Sequence, residues 1–250
     1  AGDNPPEFLL THPITSSRVS DAFNAADQIE FTGGKKNTIN FEFVKGRLKA
    51  RYNSLSPQAS ARYFEKLYKD IPTNENKYAY ISALQSNGQT DQALDAMNEI
   101  LNKFPKNLIL NITKSEILLS GQRLDEAKNN IEQVLNISPG NYPASIIKAK
   151  ILSSKKEFIK AEEILRDLLI SKNRDPGLWM QLSEIQRAGK NIVGYHLSRG
   201  EYYTLIGDFD NALNQFQFAL SLSGNSFQTS ETIMTKIKLA KDRLGRRRGF

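Results

Sequence analysis

Four segments of this chain place an alanine at the same point of an amphipathic pattern, and the interval between them is constant. SPQASARYFEKLYKDIP, NGQTDQALDAMNEILNKFP, GQRLDEAKNNIEQVLNISP and KKEFIKAEEILRDLLISKN carry Ala59, Ala93, Ala127 and Ala161, each 34 residues after the one before. Four residues on stand Tyr63, Met97, Ile131 and Leu165, and eight on stand Leu67, Leu101, Leu135 and Leu169. Residues spaced i, i+4, i+8 share one face of an α-helix. Each segment therefore predicts a helix with a small residue where a neighbouring helix comes close. Pro105 and Pro139 end two of these helices at the same phase.

The other half of each unit is a second helix, with Phe43, Gly46 and Ala50, then Tyr80, Ile81 and Leu84, then Ile117 and Leu118, then Ile147, Ala149 and Leu152 as its apolar or small residues. Asn87-Gly88 and Ser120-Gly121 mark turns between the two. A fifth unit begins at DPGLWMQLSEIQRAGK, with Trp179 and Leu182 on one face. After it the signature slips. GDFDNALNQFQFALSLSG repeats the pattern with Ala212, 51 residues after Ala161, which is one and a half periods. NIVGYHLSRGEYYTLIG is therefore read as one helix that closes one unit and opens the next, and a last helix over about 228 to 244 caps the array. This unit resembles the tetratricopeptide repeat, whose pattern has a small residue at the start of its second helix and a closing proline. The Trp, Gly and Tyr positions usual in the first helix are poorly kept. The predicted fold class is all-α: a tetratricopeptide-repeat superhelix, a helix-turn-helix solenoid of about four to six repeats.

Composition narrows the chemistry. The 250 residues contain no cysteine, which excludes disulfides, thiolate nucleophiles and Cys-based metal sites from this sequence. No stretch reaches the roughly 18 consecutive apolar residues of a membrane-spanning helix. The opening AGDNPPEF has neither a basic nor an apolar leader segment and reads as the start of a mature protein or of an excised piece. The formal net charge is +7, with a basic end in KIKLAKDRLGRRRGF. Such a balance favours anionic partners, and a nucleic-acid-binding or general protein-binding solenoid is the alternative function. No basic-aromatic pair recurs at fixed phase, so nucleic acid is not the expected partner. A free-standing enzyme has least support, because no histidine lies beside a suitable serine and acid and no Gly-rich phosphate loop is present.

Stacked helix pairs form a superhelix whose first helices line a concave face. The 34-residue phase directs Val44, Leu48, Arg51 and Tyr52, then Tyr78, Ser82 and Gln85, then Ile112, Glu116 and Leu119 toward that face. Ile146 and Lys150, then Met180, Glu184 and Arg187, continue the line. Arg51, Tyr52, Tyr78, Gln85, Glu116, Lys150, Met180, Glu184 and Arg187 are the candidate partner-binding residues, since mixed aromatic, charged and amide side chains can hold an extended peptide or a partner helix.

A second resemblance covers the start of the chain. EFLLTHPITSSRVSDA, residues 7 to 22, resembles the segment that ends the catalytic domain of BepA-like and HtpX-like bacterial zinc metalloproteases, where a Ser/Thr-His-Pro and a downstream Arg precede a helix. GYHLSRGEYYTLIGDFDNAL, residues 194 to 213, is similar to the late repeats of the BepA-like group, in which a repeat domain follows that segment. The resemblance implies residues 1–38 as the edge of a metalloprotease domain plus a Gly- and Lys-rich connector, EFTGGKKNT, and residues 39–250 as the repeat domain with its capping helix. It implies a periplasmic setting and a parent zinc metallopeptidase with its catalytic half upstream. The partners it implies are unfolded or stalled outer-membrane proteins, the barrel-assembly complex and the upstream protease domain. The sequence holds no His-Glu-x-x-His, so no catalysis and no cofactor are expected of these residues themselves, with zinc belonging to the parent. By the same resemblance His12 would be a regulatory zinc ligand in the full-length protein; in isolation it reads as an exposed side chain, and Arg18 reads as a local salt-bridge residue rather than a substrate contact. His196, between Tyr195 and Leu197, reads as packing or surface.

Overall fold

The computed structural model describes Ser20, Asn24, residues 38–224 and residues 226–248. The chain divides into two units, Ala1–Thr38 and Ile39–Phe250. The expectations for the metalloprotease-edge segment and for its connector fall almost entirely outside the described residues. Among its described residues the second unit is a run of twelve helices: α1 (Ile39–Arg51), α2 (Pro57–Asp70), α3 (Asn74–Ser86), α4 (Thr90–Lys103), α5 (Leu108–Ser120), α6 (Leu124–Ile137), α7 (Tyr142–Ser154), α8 (Phe158–Ser171), α9 (Pro176–Ala188), α10 (Ile192–Leu205), α11 (Phe209–Leu222) and α12 (Phe227–Arg248). No strand occurs among the described residues. The architecture is an all-α helical solenoid.

The backbone keeps the period more strictly than the side chains do. Thr73, Asn107, Asn141 and Asp175 cap the first helices α3, α5, α7 and α9, each side chain accepting a hydrogen bond from a backbone N–H of the first turn. The turns after α3, α5, α7, α9 and α11 each carry one left-handed residue, in order Gly88, Gln122, Lys156, Lys190 and Gly224, again 34 apart. After four of them the chain closes a six-residue C-cap, Gln89 N–H to Leu84, Arg123 to Leu118, Glu157 to Leu152 and Asn191 to Gln186, at 2.8 to 3.0 Å. Three of these left-handed sites are not glycine, and that conformation costs an L-residue about 1–2 kcal/mol. Lys190→Gly is therefore expected to raise stability by about 0.5–1 kcal/mol, after the extra entropy of an unfolded glycine is subtracted. Urea unfolding checks this, and a loss of stability would contradict the left-handed assignment.

In the second helices Ala93, Ala127 and Ala161 are fully buried, with Met97, Ile131 and Leu165 beside them. Ala59 breaks the series. It is exposed, and Tyr63 is 52% exposed, whereas Ser60, Ala61 and Phe64 face the core. The reason lies in the cap: Ser56 accepts from Ala59 N–H with Pro57 at the first helical position, so α2 starts 33 residues before α4 and its inward face moves on by one residue. In α9 the inward pair is Leu178 and Leu182, while Trp179 is half-buried and donates its indole N–H to Asn173 O at 2.8 Å.

Neighbouring first helices α5, α7 and α9 touch one another, and the second helices make no comparable contact, so the stack bends with first helices inside. At both ends the packing departs from simple hairpins. α1 lies on α3 and scarcely meets α2, the next helix in sequence. Gly46 permits this, because its backbone runs directly against Glu75 O. Phe43 is fully buried there, 5.4 Å from the Tyr78 ring and 5.9 Å from Phe104. At the other end α10 packs as fully on α11 as on α9. Gly207 at φ +80 and an Asp208 N–H to Tyr203 bond of 2.9 Å give the α10–α11 link the same tight form as the turns inside a pair. One helix does serve two units, and α12 covers the end through Ile233, Ile237 and Ala240.

Candidate functional site

Lys150, Met180 and Glu184, chosen from the 34-residue phase, converge on one pocket. It lies between the C-terminal turns of α5 and α7 and the middle of α9 on the inner side and encloses about 510 Å³. Leu119 and Ile185 join Met180 in forming apolar walls, and Ser120, Gln122, Ser153, Ser154 and Gln181 supply polar edges. Lys150 is exposed and makes no ion pair among the described residues. Glu184 is held by Arg187 of the next turn, whose terminal nitrogen approaches to 2.6 Å, and this contact raises the Arg187 pKa above its ordinary value. Gln181 Oε1 is buried without a hydrogen-bond partner among the described residues, an acceptor left for an incoming N–H.

Met180 is fixed from behind by residues the sequence did not single out. Arg199 of α10 points one guanidinium nitrogen at its sulfur, 3.5 Å away, and donates from another to Tyr203 Oη at 2.6 Å. The guanidinium also lies 5.0 Å from the Tyr203 ring centroid. Ser183 donates to Met180 O at 2.7 Å. Met is unbranched and adaptable, so a held backbone with a flexible thioether makes a wall that can fit several apolar side chains.

The other candidates separate into different surroundings. Arg51 and Gln85 line a smaller cleft of about 170 Å³ with Arg47, Ala50, Ser82 and Ser86. Tyr52 stands just beyond α1, 77% exposed, with the Arg51 guanidinium 6.0 Å from its ring. Tyr78 does not reach the surface at all. Its ring is fully buried under α1 and its hydroxyl pairs with Thr113 Oγ1 at 2.5 Å, so it cannot meet a partner. Burial pushes the phenol pKa up, and the Thr113 hydrogen bond opposes this only in part. Glu116 is likewise engaged: Arg47 donates to its Oε1 at 3.0 Å and forms an ion pair with the carboxylate, 2.9 Å from Oε2. Burial works against the Arg47 charge, but the Glu116 carboxylate outweighs it and leaves the pKa above its usual value. Arg47 was missed because the pair spans 69 residues, and no local spacing encodes it.

His12 lies outside the described residues. His196 sits at a packing position, its Nδ1 2.9 Å from Gln215 Oε1 and its ring 5.4 Å from Phe218. Among the described residues no group of three or more His, Asp or Glu side chains is placed to hold a metal ion. No helix among them is long and apolar enough to cross a membrane.

No family model matches the chain. Among solved structures, it is similar to a tetratricopeptide repeat protein from Parabacteroides merdae, with 16% identity over 90% of each chain and a TM-score of 0.49. A thermophilic repeat protein from Thermus thermophilus matches with 18% identity over 80% of this chain and 99% of that one, at a TM-score of 0.48. Among curated proteins, the β-barrel assembly-enhancing protease of Yersinia pestis is 32% identical over 110 residues, which is 42% of this chain and 22% of that protein. The protein of that name from Escherichia coli K12 is 25% identical over 219 residues, 87% of this chain and 45% of that protein. The chain thus spans less than half the length of these relatives, and within that span it is similar to the β-barrel assembly-enhancing proteases, as a helical-repeat region.

Proposed function

We infer that this chain is the protein-interaction region of a periplasmic zinc metallopeptidase, and that it holds unfolded or stalled outer-membrane proteins, or their assembly machinery, for proteolysis or chaperoning. The observation that carries this reading is the convergence of Leu119, Lys150, Met180, Glu184 and Ile185 on one inward-facing pocket. An apolar side chain of an extended segment would enter between Leu119, Met180 and Ile185. The segment's backbone would be met by the Ser153 and Ser154 hydroxyls and by Gln181 Oε1. Non-native β-barrel chains expose alternating apolar side chains and unpaired backbone groups, which is the chemistry such a pocket accepts. The name of the curated relatives supports the choice of barrel proteins, and likeness to a protease supports a catalytic partner domain.

The test is fluorescence anisotropy with a labelled, urea-diluted outer-membrane barrel protein. Met180→Asp puts an unpaired charge into the apolar wall and is expected to weaken binding by at least about tenfold. Arg62→Asp, on the separate cleft between α2 and α3, should leave it unchanged. Equal affinities for the native chain and Met180→Asp would remove the pocket from the function.

A further inference from the structure

The charge of this protein is concentrated in one helix. α12 contains Lys236, Lys238, Lys241, Arg243, Arg246, Arg247 and Arg248 against Glu231 and Asp242, a net of 7 − 2 = +5 out of the +7 of the whole sequence. Two of these cations are used within the fold: Lys236 pairs with Glu201 of α10, and the Arg243 guanidinium lies 6.0 Å from the Phe209 ring. Lys238, Lys241 and Arg246 are exposed and have no carboxylate or hydrogen-bond partner among the described residues. Met234 is 55% exposed one turn before Lys238, Leu239 is 53% exposed where α12 borders Thr204 and Phe216, the carboxylates Glu231 and Asp242 are exposed on the same helix, and Phe227 at its start is 80% exposed. The opposite side is spent on the core, with Ile233 and Ala240 buried and Ile237 packed beside them. Among the described residues α12 packs chiefly on α11.

We propose that the outward face of α12 docks the repeat array on an anionic lipid surface. Lysine and arginine near such a surface gain attraction to the headgroups, and a helix lying in the interface sinks its apolar side chains to the acyl boundary. Both kinds of group are present on this face. A phosphodiester chain would satisfy the cations but has no place for Met234 and Leu239. A second copy of α12 would bring like charges together. The membrane is therefore the occupant that suits both the net positive charge and the exposed apolar side chains. The docking is independent of the pocket between α5, α7 and α9, which would stay open on the inner side.

Sedimentation of the full chain with vesicles tests this, using phosphatidylcholine alone and phosphatidylcholine mixed with phosphatidylglycerol. Binding is expected only to the mixed vesicles and should weaken as salt shortens the Debye length. The triple reversal Lys238→Glu, Lys241→Glu and Arg246→Glu should reduce it by at least about a hundredfold, since each basic residue near the surface contributes about fivefold. Met234→Ser with Leu239→Ser, both on an exposed face and so neutral to folding, should reduce it by about tenfold. No sedimentation with anionic vesicles at low salt overturns the proposal. So does retention by the triple reversal with native circular dichroism, and so does tighter binding to single-stranded RNA that the Met234 and Leu239 substitutions leave unchanged.

Discussion

Phe43→Ala is expected to cost about 3–5 kcal/mol and to release α1 while leaving the rest of the array folded. The ring is fully buried between Tyr78 and Phe104, so truncation removes its transfer energy and leaves a cavity that α3 and α5 cannot close. The loss is local because of how α1 is attached. It lies on α3 and scarcely meets α2, and its polar ties run to α3 and α5 through Glu75 and Glu116. Repeat arrays divide their stability among neighbouring units, so distant helices need not sense the change. Amide exchange should show protection lost across residues 39–51 and kept from α7 to α11. Uniform loss across all helices would mean that α1 is an ordinary member of the stack.

The second large effect reverses a familiar sign. Alanine in place of a helical glycine ordinarily stabilises by about 1 kcal/mol. Gly200→Ala is expected instead to destabilise by about 2–3 kcal/mol, because its methyl group would overlap the ring of Phe216. That ring is itself buried, beside Ala212 and Ala219, and has little room to shift. Gly245→Ala in α12 is the matched control: nothing lies within 4 Å of the added carbon, and stability should stay level or rise. Urea unfolding of the two variants distinguishes the sites. If both gain stability, α10 and α11 are not in the close contact that lets α10 serve two units. Phe216→Leu in the Gly200→Ala background should recover part of the loss, since a smaller side chain vacates the contested space.

Much of the architecture was legible before any coordinates. The buried alanines at 93, 127 and 161, the shared helix at 192–205 and the end helix at 227–248 all follow from spacing, because i, i+4 periodicity and turn chemistry act within a few residues. Ala59 shows how little displaces such a reading. A start one residue later than the period, set by Ser56 and Pro57, turns the face from Ala59 and Tyr63 to Ser60 and Phe64. Of the candidate positions, those in the C-terminal half, Lys150, Met180 and Glu184, line one pocket. In the N-terminal half the same phase selected Tyr78 and Glu116, and both are occupied by α1.

The sequence by itself determined the helices, their ends and the period that stacks them. Which distant surface each of those inward faces meets was decided only by tertiary packing. Arg47 on Glu116, Phe43 on Tyr78 and Gly46 on Glu75 join residues between 29 and 69 positions apart in sequence. Local periodicity specifies that a side chain faces inward along its own helix, but whether that line meets solvent, a partner or another part of the chain depends on which distant surfaces fit most closely.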